Sequence, residues 1–553
     1  MQKKLALSFL CFSVILKAQN ENLINNNFEE FLQKRQETEI NKLLNKELEK
    51  EEKLQKDEGI LTHDEKTKFL IKKITLLGEE IPEIKKIKVL LKKYTNQNLG
   101  IKEIQELAKK MTNIYIQQGY VGARVLIPTD QNLRDGELKF QIVLGKIESI
   151  DFNDNTDFYK FKTWWTFPTE KNSILKISDI EHGIAIINKV PQNKATMNIY
   201  PGDTFGGSIV KIKNERKSYL HGLYLNFSNS GNDDTGKNKI TLNYSFGDLI
   251  GINEIFSIYG ATNIFDNYQD KKDNNFGAEI TIPFKTWDTG ISYNQSSTLN
   301  TLQGNLRELK FKGENRLISY RVGKVLLTYP QGKLRLDSSL NLKTKKNFVN
   351  GEKIEVSSRN STNWKNTLSL TGKAYNSVYY SSLSYQKGIH SFGASEDLGK
   401  EKDSPNSDYE KYNVYLKIIK PFLVQNSNFT YEISGSAQYT RDNLYSDEKY
   451  SLGNEITVRG YRDGISGNNG YFLRNQIYYS FPGEWQNIRV YSGIDTGEVG
   501  DKESKKQHLL GNTFGIDYAT QYFSMDLSVG IPLKKISNNN DNHLIYFSIN
   551  TYF

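Results

Sequence analysis

Short segments in which apolar and polar residues alternate recur from about residue 218 to the C-terminus, separated by Gly, Asn, Asp and Lys clusters. Because successive side chains of a strand point to opposite faces, this alternation predicts strands with one apolar face and one polar face. Roughly 335 residues, at about 21 per strand and loop, predict about sixteen strands. The clearest segments are 219–228, 239–246, 254–260, 278–284, 317–328, 334–342, 379–385, 413–419, 431–439, 471–481, 489–499, 511–518, 524–531 and 544–553.

The last of these segments shows what the alternation implies. One face carries Ile545, Phe547, Ile549, Thr551 and the C-terminal Phe553, and the other carries Tyr546, Ser548, Asn550 and Tyr552. A wall that faces lipid must be apolar, a wet lumen can be polar, and closing the sheet satisfies every edge hydrogen bond. We therefore predict a membrane β-barrel over residues 216–553. The alternative is a soluble β-sandwich, which the many strands and the aromatic strand ends disfavour.

Two small α+β units are predicted before the barrel, over residues 67–145 and 146–215. The first has a strand near 69–74, two helical stretches of which the second is 101–117, and strands at 121–127 and 137–144 joined through an Asp-Gly turn. The second is a looser copy. It has a strand at 147–152, a helix near 180–188 and strands at 195–200 and 207–212. The tandem order indicates a repeated module.

The N-terminus has a different composition from the rest of the chain. Residues 1–18 combine Lys3, Lys4 and a short apolar run, which predicts a cleaved secretory signal peptide that contains the only cysteine, Cys11. A mature chain without cysteine has neither disulfides nor thiol catalysis. Residues 19–66 contain an amphipathic helix over about 27–57, which we expect to plug the pore. The alternative is a solvated linker helix.

Charge and residue spacing exclude several functions. The net charge of +9 falls to +6 once Lys3, Lys4 and Lys17 leave with the signal, and it is spread too thinly to predict nucleic-acid binding. After the signal, no apolar run is long enough for a membrane-spanning helix. The six histidines occur without a Ser/His/Asp pattern or metal-ligand spacing. We therefore expect no enzyme activity, no cofactor and no metal.

A candidate functional site follows from the alternation near residue 495. Asp495 shares the polar face of its strand with Gly493 and Gly497, and these glycines leave room for another backbone to approach. The glycine-rich loop 449–470 carries Arg459, and an arginine can pair with a carboxylate through two hydrogen bonds. Spacing alone leaves two alternatives open, a loop folded into the lumen and a solvent-exposed arginine.

Four stretches carry a resemblance to a known family: 451–461 with Val458, Arg459, Gly460 and Tyr461; 493–499; 119–128; and 136–138. With them the chain resembles the outer-membrane transporters of two-partner secretion, relatives of haemolysin- and adhesin-secreting pores. The resemblance implies a sixteen-stranded barrel, two periplasmic POTRA domains, an N-terminal helix able to plug the pore, and pairing of Arg459 with Asp495. Gln476 departs from the pattern, because the family often has an acidic residue there.

The expected function is therefore secretion of a large partner exoprotein (TpsA type) across the outer membrane, with POTRA capture of the client and no nucleotide hydrolysis. The expected partners are this client, outer-membrane lipid, and the barrel assembly machinery, for which Phe553 would be the C-terminal signal. The alternatives are an assembly factor of the same superfamily, a diffusion porin and a barrel enzyme.

Overall fold

The computed structural model describes residues 30, 32–38, 40–41, 44–45, 68–78, 82–152, 156–303, 308–329, 331–397, 399, 404–461, 464–501, 506–536 and 542–553. The predicted signal peptide, with Cys11, lies outside the described residues. None of the described helices is both long and apolar enough to cross a bilayer.

The first unit is an α+β domain with a small three-stranded sheet. Strand β2 runs parallel to β5, which pairs antiparallel with β4, and β1 pairs separately with β3. The second helix packs Leu107 and Met111 against Leu138 and Phe140 of β5, all four fully buried. The elements are β1 (Lys68–Ile71), β2 (Lys73–Leu77), α1 (Lys85–Tyr94), β3 (Gln97–Gly100), α2 (Ile101–Gln117), β4 (Arg124–Leu126) and β5 (Glu137–Val143).

The single strand predicted near 69–74 is wrong, because the chain forms two strands there that belong to different sheets. The backbone N–H groups of Lys72 and Lys73 both donate to the carbonyl of Gly136, at 2.8 and 3.1 Å. Two consecutive amides cannot point the same way in a regular strand, so the chain bends at Lys72. The predicted helix 101–117 agrees with α2.

The second unit repeats this arrangement and adds a helix that the periodicity did not predict. Strand β6 runs parallel to β8, and β8 pairs antiparallel with β7. The additional helix, α3, buries Lys162 and Thr166 and leaves Phe158, Phe161 and Trp164 about half exposed. An ordinary amphipathic helix buries its apolar side chains and exposes its polar ones, whereas α3 does the reverse. The hydrophobic pattern of the sequence therefore did not predict this helix. The elements are β6 (Lys146–Phe152), α3 (Asp157–Thr166), α4 (Ile177–Ile187), β7 (Asn193–Pro201) and β8 (Gly207–Arg216).

The rest of the chain is a closed barrel of sixteen antiparallel strands, which confirms the predicted fold class. Residues Tyr224–Ser228 of the first strand pair with Ser548–Tyr552 of the last and close the wall. The wall strands are β9 (Leu223–Ser228), β10 (Lys239–Gly247), β11 (Ile255–Asn263), β12 (Lys271–Phe284), β13 (Trp287–Gln303), β14 (Glu308–Tyr329), β15 (Gly332–Val349), β17 (Arg359–Ala374), β18 (Ser377–Gly388), β19 (Glu410–Val424), β20 (Ser427–Thr440), β23 (Asn469–Ser480), β24 (Ile488–Gly500), β25 (Gln507–Ala519), β26 (Phe523–Pro532) and β27 (Leu544–Tyr552); the two-residue β16 (Glu352–Lys353) extends the sheet beside β15, and β21 (Tyr450–Leu452) and β22 (Ile465–Gly467) lie in a loop.

The two faces of the wall differ as the alternation predicts. Apolar side chains such as Phe276, Ile291 and Ile545 are about half exposed on the outside. Polar side chains such as Asp273 and Asn294 are buried on the inside. An apolar exterior around a polar interior is the pattern of a membrane barrel.

A buried polar joint attaches the second α+β unit to the barrel. The ammonium of Lys162 contacts the carboxylate of Asp248, in the turn between β10 and β11, and both side chains are 4% exposed. Asn193 donates to the same carboxylate at 3.2 Å, and Asn253 donates to Thr166 at 2.8 Å. Burial lowers the pKa of Lys162, and the charge of Asp248 opposes this effect. The joint therefore depends on a desolvated ion pair.

We predict that Lys162→Met loosens this joint. The substitution leaves the buried Asp248 carboxylate without its ammonium, and breaking a buried pair costs about 3–5 kcal/mol. In detergent, trypsin should therefore release the α+β units from the barrel much faster than in the wild type. Lys160→Met is the matched control, because Lys160 lies on the same helix but is exposed and pairs with the exposed Asp157 of the same helix. Equal resistance of Lys162→Met and wild type would contradict the prediction.

Candidate functional site in the barrel lumen

The loop between β20 and β23 folds back into the barrel. Strands β21 and β22 pair as a hairpin inside it. An apolar cluster fastens the loop to the inner wall, and within it Leu452, Val458 and Tyr461 pack against Val499 of β24 and Leu509 of β25. All five side chains are at most 2% exposed. The loop therefore has its own core within a polar lumen.

Arg459 lies on this loop with its guanidinium against Asp495 of β24. The Arg459 Nε donates to Oδ2 at 2.6 Å, Nη2 donates to Oδ1 at 2.9 Å, and the backbone N–H of Arg459 donates to Oδ2 at 3.2 Å. The two side chains are 4% and 0% exposed. This bidentate pairing is the strongest geometry available to an arginine and a carboxylate, and it fixes the position of the loop.

The two glycines beside Asp495 make room for the loop. A methyl group at Gly493 would lie 2.9 Å from Arg459 Nη2, and one at Gly497 would lie 2.8 Å from Leu452 Cδ1. Both distances are below 3.0 Å, which is closer than a Cβ atom normally approaches another heavy atom. The absence of side chains at these positions therefore allows the ion pair and the apolar cluster to form.

Two further glycines, which we did not single out from the sequence, also contact the loop. A methyl group at Gly511 of β25 would overlap the carbonyl oxygen of Arg459, and one at Gly530 of β26 would lie 2.7 Å from the backbone nitrogen of Gly460. The signal that could have found them is their position on the lumen face of the strands that follow Asp495.

Gly460 and Tyr461 complete the contact. Gly460 has a φ of +95° and donates its backbone N–H to the hydroxyl of Tyr546 at 2.9 Å. Only glycine adopts this φ without strain. The hydroxyl of Tyr461 accepts from the backbone N–H of Leu510 at 3.1 Å and lies 2.7 Å from the carbonyl of Lys534. Each residue of the segment 458–461 thus has a specific partner on the wall.

The N-terminal helix also lies in the lumen, where its described residues are 30, 32–38, 40–41 and 44–45. Ile40 and Leu44 are buried against Val378 and Ile419 of the inner wall. The guanidinium of Arg35 contacts the carboxylate of Glu279 and the hydroxyl of Tyr259. A helix with one apolar face and several paired charges therefore occupies part of the pore.

Ion pairs connect this helix to the loop and to the wall around Asp495. Lys34 lies 3.1 Å from Glu455 of the loop. Glu37 lies 3.7 Å from Lys417 and 4.0 Å from Arg474, whose Nε is 3.9 Å from Asp495. Helix, loop and wall thus form one electrostatic network. Alternation along its strand places Arg474 on the lumen side together with Gln476 and Tyr478, but the local sequence does not identify its partners.

Gln476, the position that departs from the family pattern, joins this network through neutral hydrogen bonds. It accepts from Arg474 at 2.9 Å and donates to Tyr478 at 2.7 Å. Its amide therefore helps to orient the cation that lies beside Asp495.

Two other expectations concern residues away from the lumen. Phe553 lies at the barrel seam, where its N–H donates to Leu223 at 3.1 Å and its carbonyl accepts from Gly222 at 3.2 Å. Its role as an assembly signal stays a prediction. Among the residues that the structure describes, no group of three or more His, Cys, Asp and Glu side chains is arranged to hold a metal ion.

A barrel with an inward-folded loop and two α+β units matches known protein families. Residues 206–518 match the family model described as haemolysin secretion/activation protein ShlB/FhaC/HecB. The chain belongs to this family. Residues 69–145 match a POTRA domain of the ShlB type, and residues 146–201 match a POTRA domain. The family places the barrel in the outer membrane and both POTRA domains in the periplasm.

Similar proteins agree with this assignment. The outer membrane transporter CdiB of Dickeya dadantii is 27% identical over 450 residues, covering 80% of this chain and 78% of the relative. The hemolysin transporter protein HpmB of Proteus mirabilis is 27% identical over 436 residues, covering 77% and 75%. The structure of CdiB from Escherichia coli superposes with a TM-score of 0.83 at 24% identity, over 95% of this chain and 98% of that one.

We predict that Gly511→Ala displaces the loop without removing any charge. The added methyl group would overlap the carbonyl oxygen of Arg459, so the guanidinium has to move away from Asp495. Export should fall by at least tenfold while the barrel remains inserted. Gly260→Ala is the matched control, because a methyl group at this wall position has its nearest neighbour at 3.4 Å. Wild-type export by Gly511→Ala would contradict the prediction.

Proposed function

We propose that this chain secretes a large haemolysin- or adhesin-like exoprotein across the outer membrane by two-partner secretion, and that the POTRA domains capture this client. One observation carries the proposal. Two segments of the chain itself lie in the lumen of a barrel that is attached to periplasmic POTRA domains, and side-chain ion pairs hold them to the wall. This arrangement fits the closed resting state of a protein conduit.

The two segments have different roles in this proposal. The N-terminal helix is a removable plug, because its polar contacts to wall and loop are exchangeable ion pairs and its described apolar contacts are few. The loop stays docked, because the Arg459–Asp495 pair and a separate apolar core hold it. Opening therefore consists of withdrawal of the helix, while the loop keeps its productive position and lines the path of the client.

Client capture would use an open sheet edge. Among the described strands, β7 of the second POTRA domain pairs only with β8. The C-terminal half of β7 exposes Ile199 and Tyr200. An extended client can add to such an edge through backbone hydrogen bonds, with side-chain pockets giving specificity. The periplasm supplies no nucleotide, so the client's folding outside the cell would make its movement directional.

We infer a transport role rather than catalysis. In this proposal the partners of the chain are the exoprotein client, membrane lipid and the barrel assembly machinery. The family assignment favours secretion over outer-membrane protein assembly. The direct test expresses this chain together with the exoprotein encoded beside its gene and measures that protein in the medium. Export that depends on this chain supports the proposal, and export without it refutes the proposal.

We predict that Ile199→Asp weakens client capture, because a charge on the strand edge opposes the addition of another strand. The amount of exoprotein in the medium should fall several-fold while the transporter level stays constant. Val89→Asp is the matched control, since Val89 is also exposed and apolar but lies on helix α1. Equal export by both variants would argue against capture at the β7 edge.

A further inference from the structure

Helix α3 of the second POTRA domain presents an aromatic face to the solvent. Phe158, Phe161 and Trp164 are 51%, 46% and 49% exposed, whereas Lys162 and Thr166 of the same helix are buried in the joint with the barrel. Three large aromatic side chains on one ten-residue helix form an apolar surface that the domain's own core does not cover.

Beside this face, the helix is attached to the periplasmic rim of the barrel wall. Trp165 donates its indole N–H to the carbonyl of Pro283 at 2.5 Å, and the backbone N–H of Lys285 donates to the carbonyl of Trp165 at 2.9 Å. The rings of Trp164 and Trp165 meet the ring of Phe284 edge-on, with centroids 5.7 and 4.8 Å apart. The helix is therefore fixed at the end of the hairpin formed by β12 and β13.

The barrel residues at this contact belong to the lipid-facing side of the wall. Phe284 shares a strand face with the exposed Phe276, and its cross-strand partner Trp287 shares one with the exposed Ile291. The ammonium of Lys324 lies 4.4 Å from the centre of the Trp287 ring. Aromatic rings beside a lysine at the end of an apolar band mark the membrane–water interface. The aromatic face of α3 thus continues the girdle of the barrel.

The neighbouring periplasmic turn extends the same surface. Between β10 and β11, Leu249 and Ile250 are 57% and 68% exposed. The ring of Phe158 packs on Gly251 of this turn so closely that a methyl group there would overlap the ring. The ion pair of Lys162 with Asp248 fixes the turn to the helix from the inner side. Helix and turn form one rigid apolar surface, which we name the rim surface (Phe158, Phe161, Trp164, Leu249 and Ile250).

We propose that the rim surface is a membrane anchor that inserts into the headgroup region of the periplasmic leaflet of the outer membrane. The partner is the phospholipid bilayer. Lipid is favoured over a protein client because the surface continues the lipid-facing wall outside the barrel, away from the lumen. Short amphipathic helices rich in Trp and Phe bind at this depth by burying their apolar face between headgroups and acyl chains.

The anchor gives the second POTRA domain two attachments with different chemistry. The inner one is the polar joint of Lys162 and Asp248, and the outer one is lipid. Together they set the orientation of the domain relative to the bilayer, and with it the position of the β7 edge below the pore. The anchor itself does not depend on which client the transporter carries.

The test measures contact between the rim surface and lipid directly. The chain's only cysteine is Cys11, so a Cys11→Ser background allows a single NBD fluorophore to be attached at Phe161→Cys. The full chain is reconstituted into phosphatidylcholine vesicles with ordinary or brominated acyl chains. Bromine quenches only fluorophores that lie near the acyl chains. We expect quenching at residue 161 to be at least half as strong as at Ile291→Cys, a position on the lipid-facing wall.

Phe205→Cys is the matched negative control. Phe205 is an exposed aromatic residue of the same domain, and the adjacent Gly206 lies beside Val143 of the first POTRA domain. Quenching at residue 161 no stronger than at residue 205 would overturn the proposal. Energy transfer between labelled copies without bromine quenching would also overturn it, by assigning the surface to a contact between two copies of the chain.

Discussion

Arg459→Ala and Asp495→Ala should each abolish export while the barrel stays inserted in the outer membrane. Each substitution removes the bidentate partner of a buried charge, and breaking a desolvated pair costs about 3–5 kcal/mol. A loss of 3 kcal/mol shifts the equilibrium between docked and undocked loop by about a hundredfold. Barrel closure does not depend on the pair, because Asp495 projects from a strand whose hydrogen bonds to both neighbours remain. Exoprotein in the medium and heat-modifiable migration of the transporter measure the two properties.

The barrel itself supplies the matched control for this experiment. Arg489 and Asp517 form a second bidentate pair on the inner wall, with distances of 2.8 and 3.0 Å. This pair joins two neighbouring strands, and within the part of the loop that the structure describes no residue forms a hydrogen bond or ion pair with it. Arg489→Ala should therefore leave export near the wild-type level. Arg459→Lys should give an intermediate result, because lysine keeps the charge but loses the planar two-point geometry.

The double variant separates a specific pairing from two independent effects. If the two side chains act through each other, Arg459→Ala with Asp495→Ala should recover part of the export that each single variant loses, because neither buried charge is then left unpaired. Two independent effects predict no recovery. Full export by both single variants would show that export does not require this pair to hold the loop.

The barrel could be predicted because its wall has to satisfy two solvents at once. Lipid outside and water inside impose a period of two on the strands in the bilayer, and this period is visible in segments such as 489–499 and 544–553. Strand β13 (Trp287–Gln303) and strand β17 (Arg359–Ala374) are not among the clearest segments of the sequence. Residues such as Ser296, Ser297 and Thr298 are polar on both faces, so the alternation is lost there. A transmembrane strand needs only about 9–11 residues, and the remainder of a longer strand has no apolar face to reveal it.

The side of the wall on which a residue lies could be predicted, but its distant partner could not. Alternation placed Asp495 and Arg474 inside the barrel from their local sequence alone. Glu37 is separated from Arg474 by more than four hundred residues, and no local pattern links the two. Alternation also places Gly511 and Gly530 on the lumen face, but a glycine in a strand does not indicate which loop passes over it. Pairing across a lumen depends on chain closure, which is a property of the whole barrel.

Deletion of residues 20–58 should raise ion conductance several-fold and leave export almost unchanged. The N-terminal helix fills lumen space between Ile419 on one side and Glu279 on the other, and its removal opens a water-filled path. Export should persist, because the proposal requires the helix to leave the lumen before the client enters. Planar-bilayer recording measures the conductance, and exoprotein in the medium measures export. An unchanged conductance would show that the helix does not obstruct the pore.

Tethering the helix should give the opposite result and distinguish a plug from a bystander. Lys34 of the helix and Glu455 of the loop form a direct ion pair, so cysteines at both positions can be bridged by a reducible bis-methanethiosulfonate reagent. Bridged transporters should show low conductance and no export. Dithiothreitol cleaves the bridge and should return conductance and export to the levels of the untreated transporter. Treated single-cysteine variants control for labelling alone. Export through the bridged transporter would mean that the client passes with the helix in place, and the helix would then have to be regarded as part of the lining of the conduit.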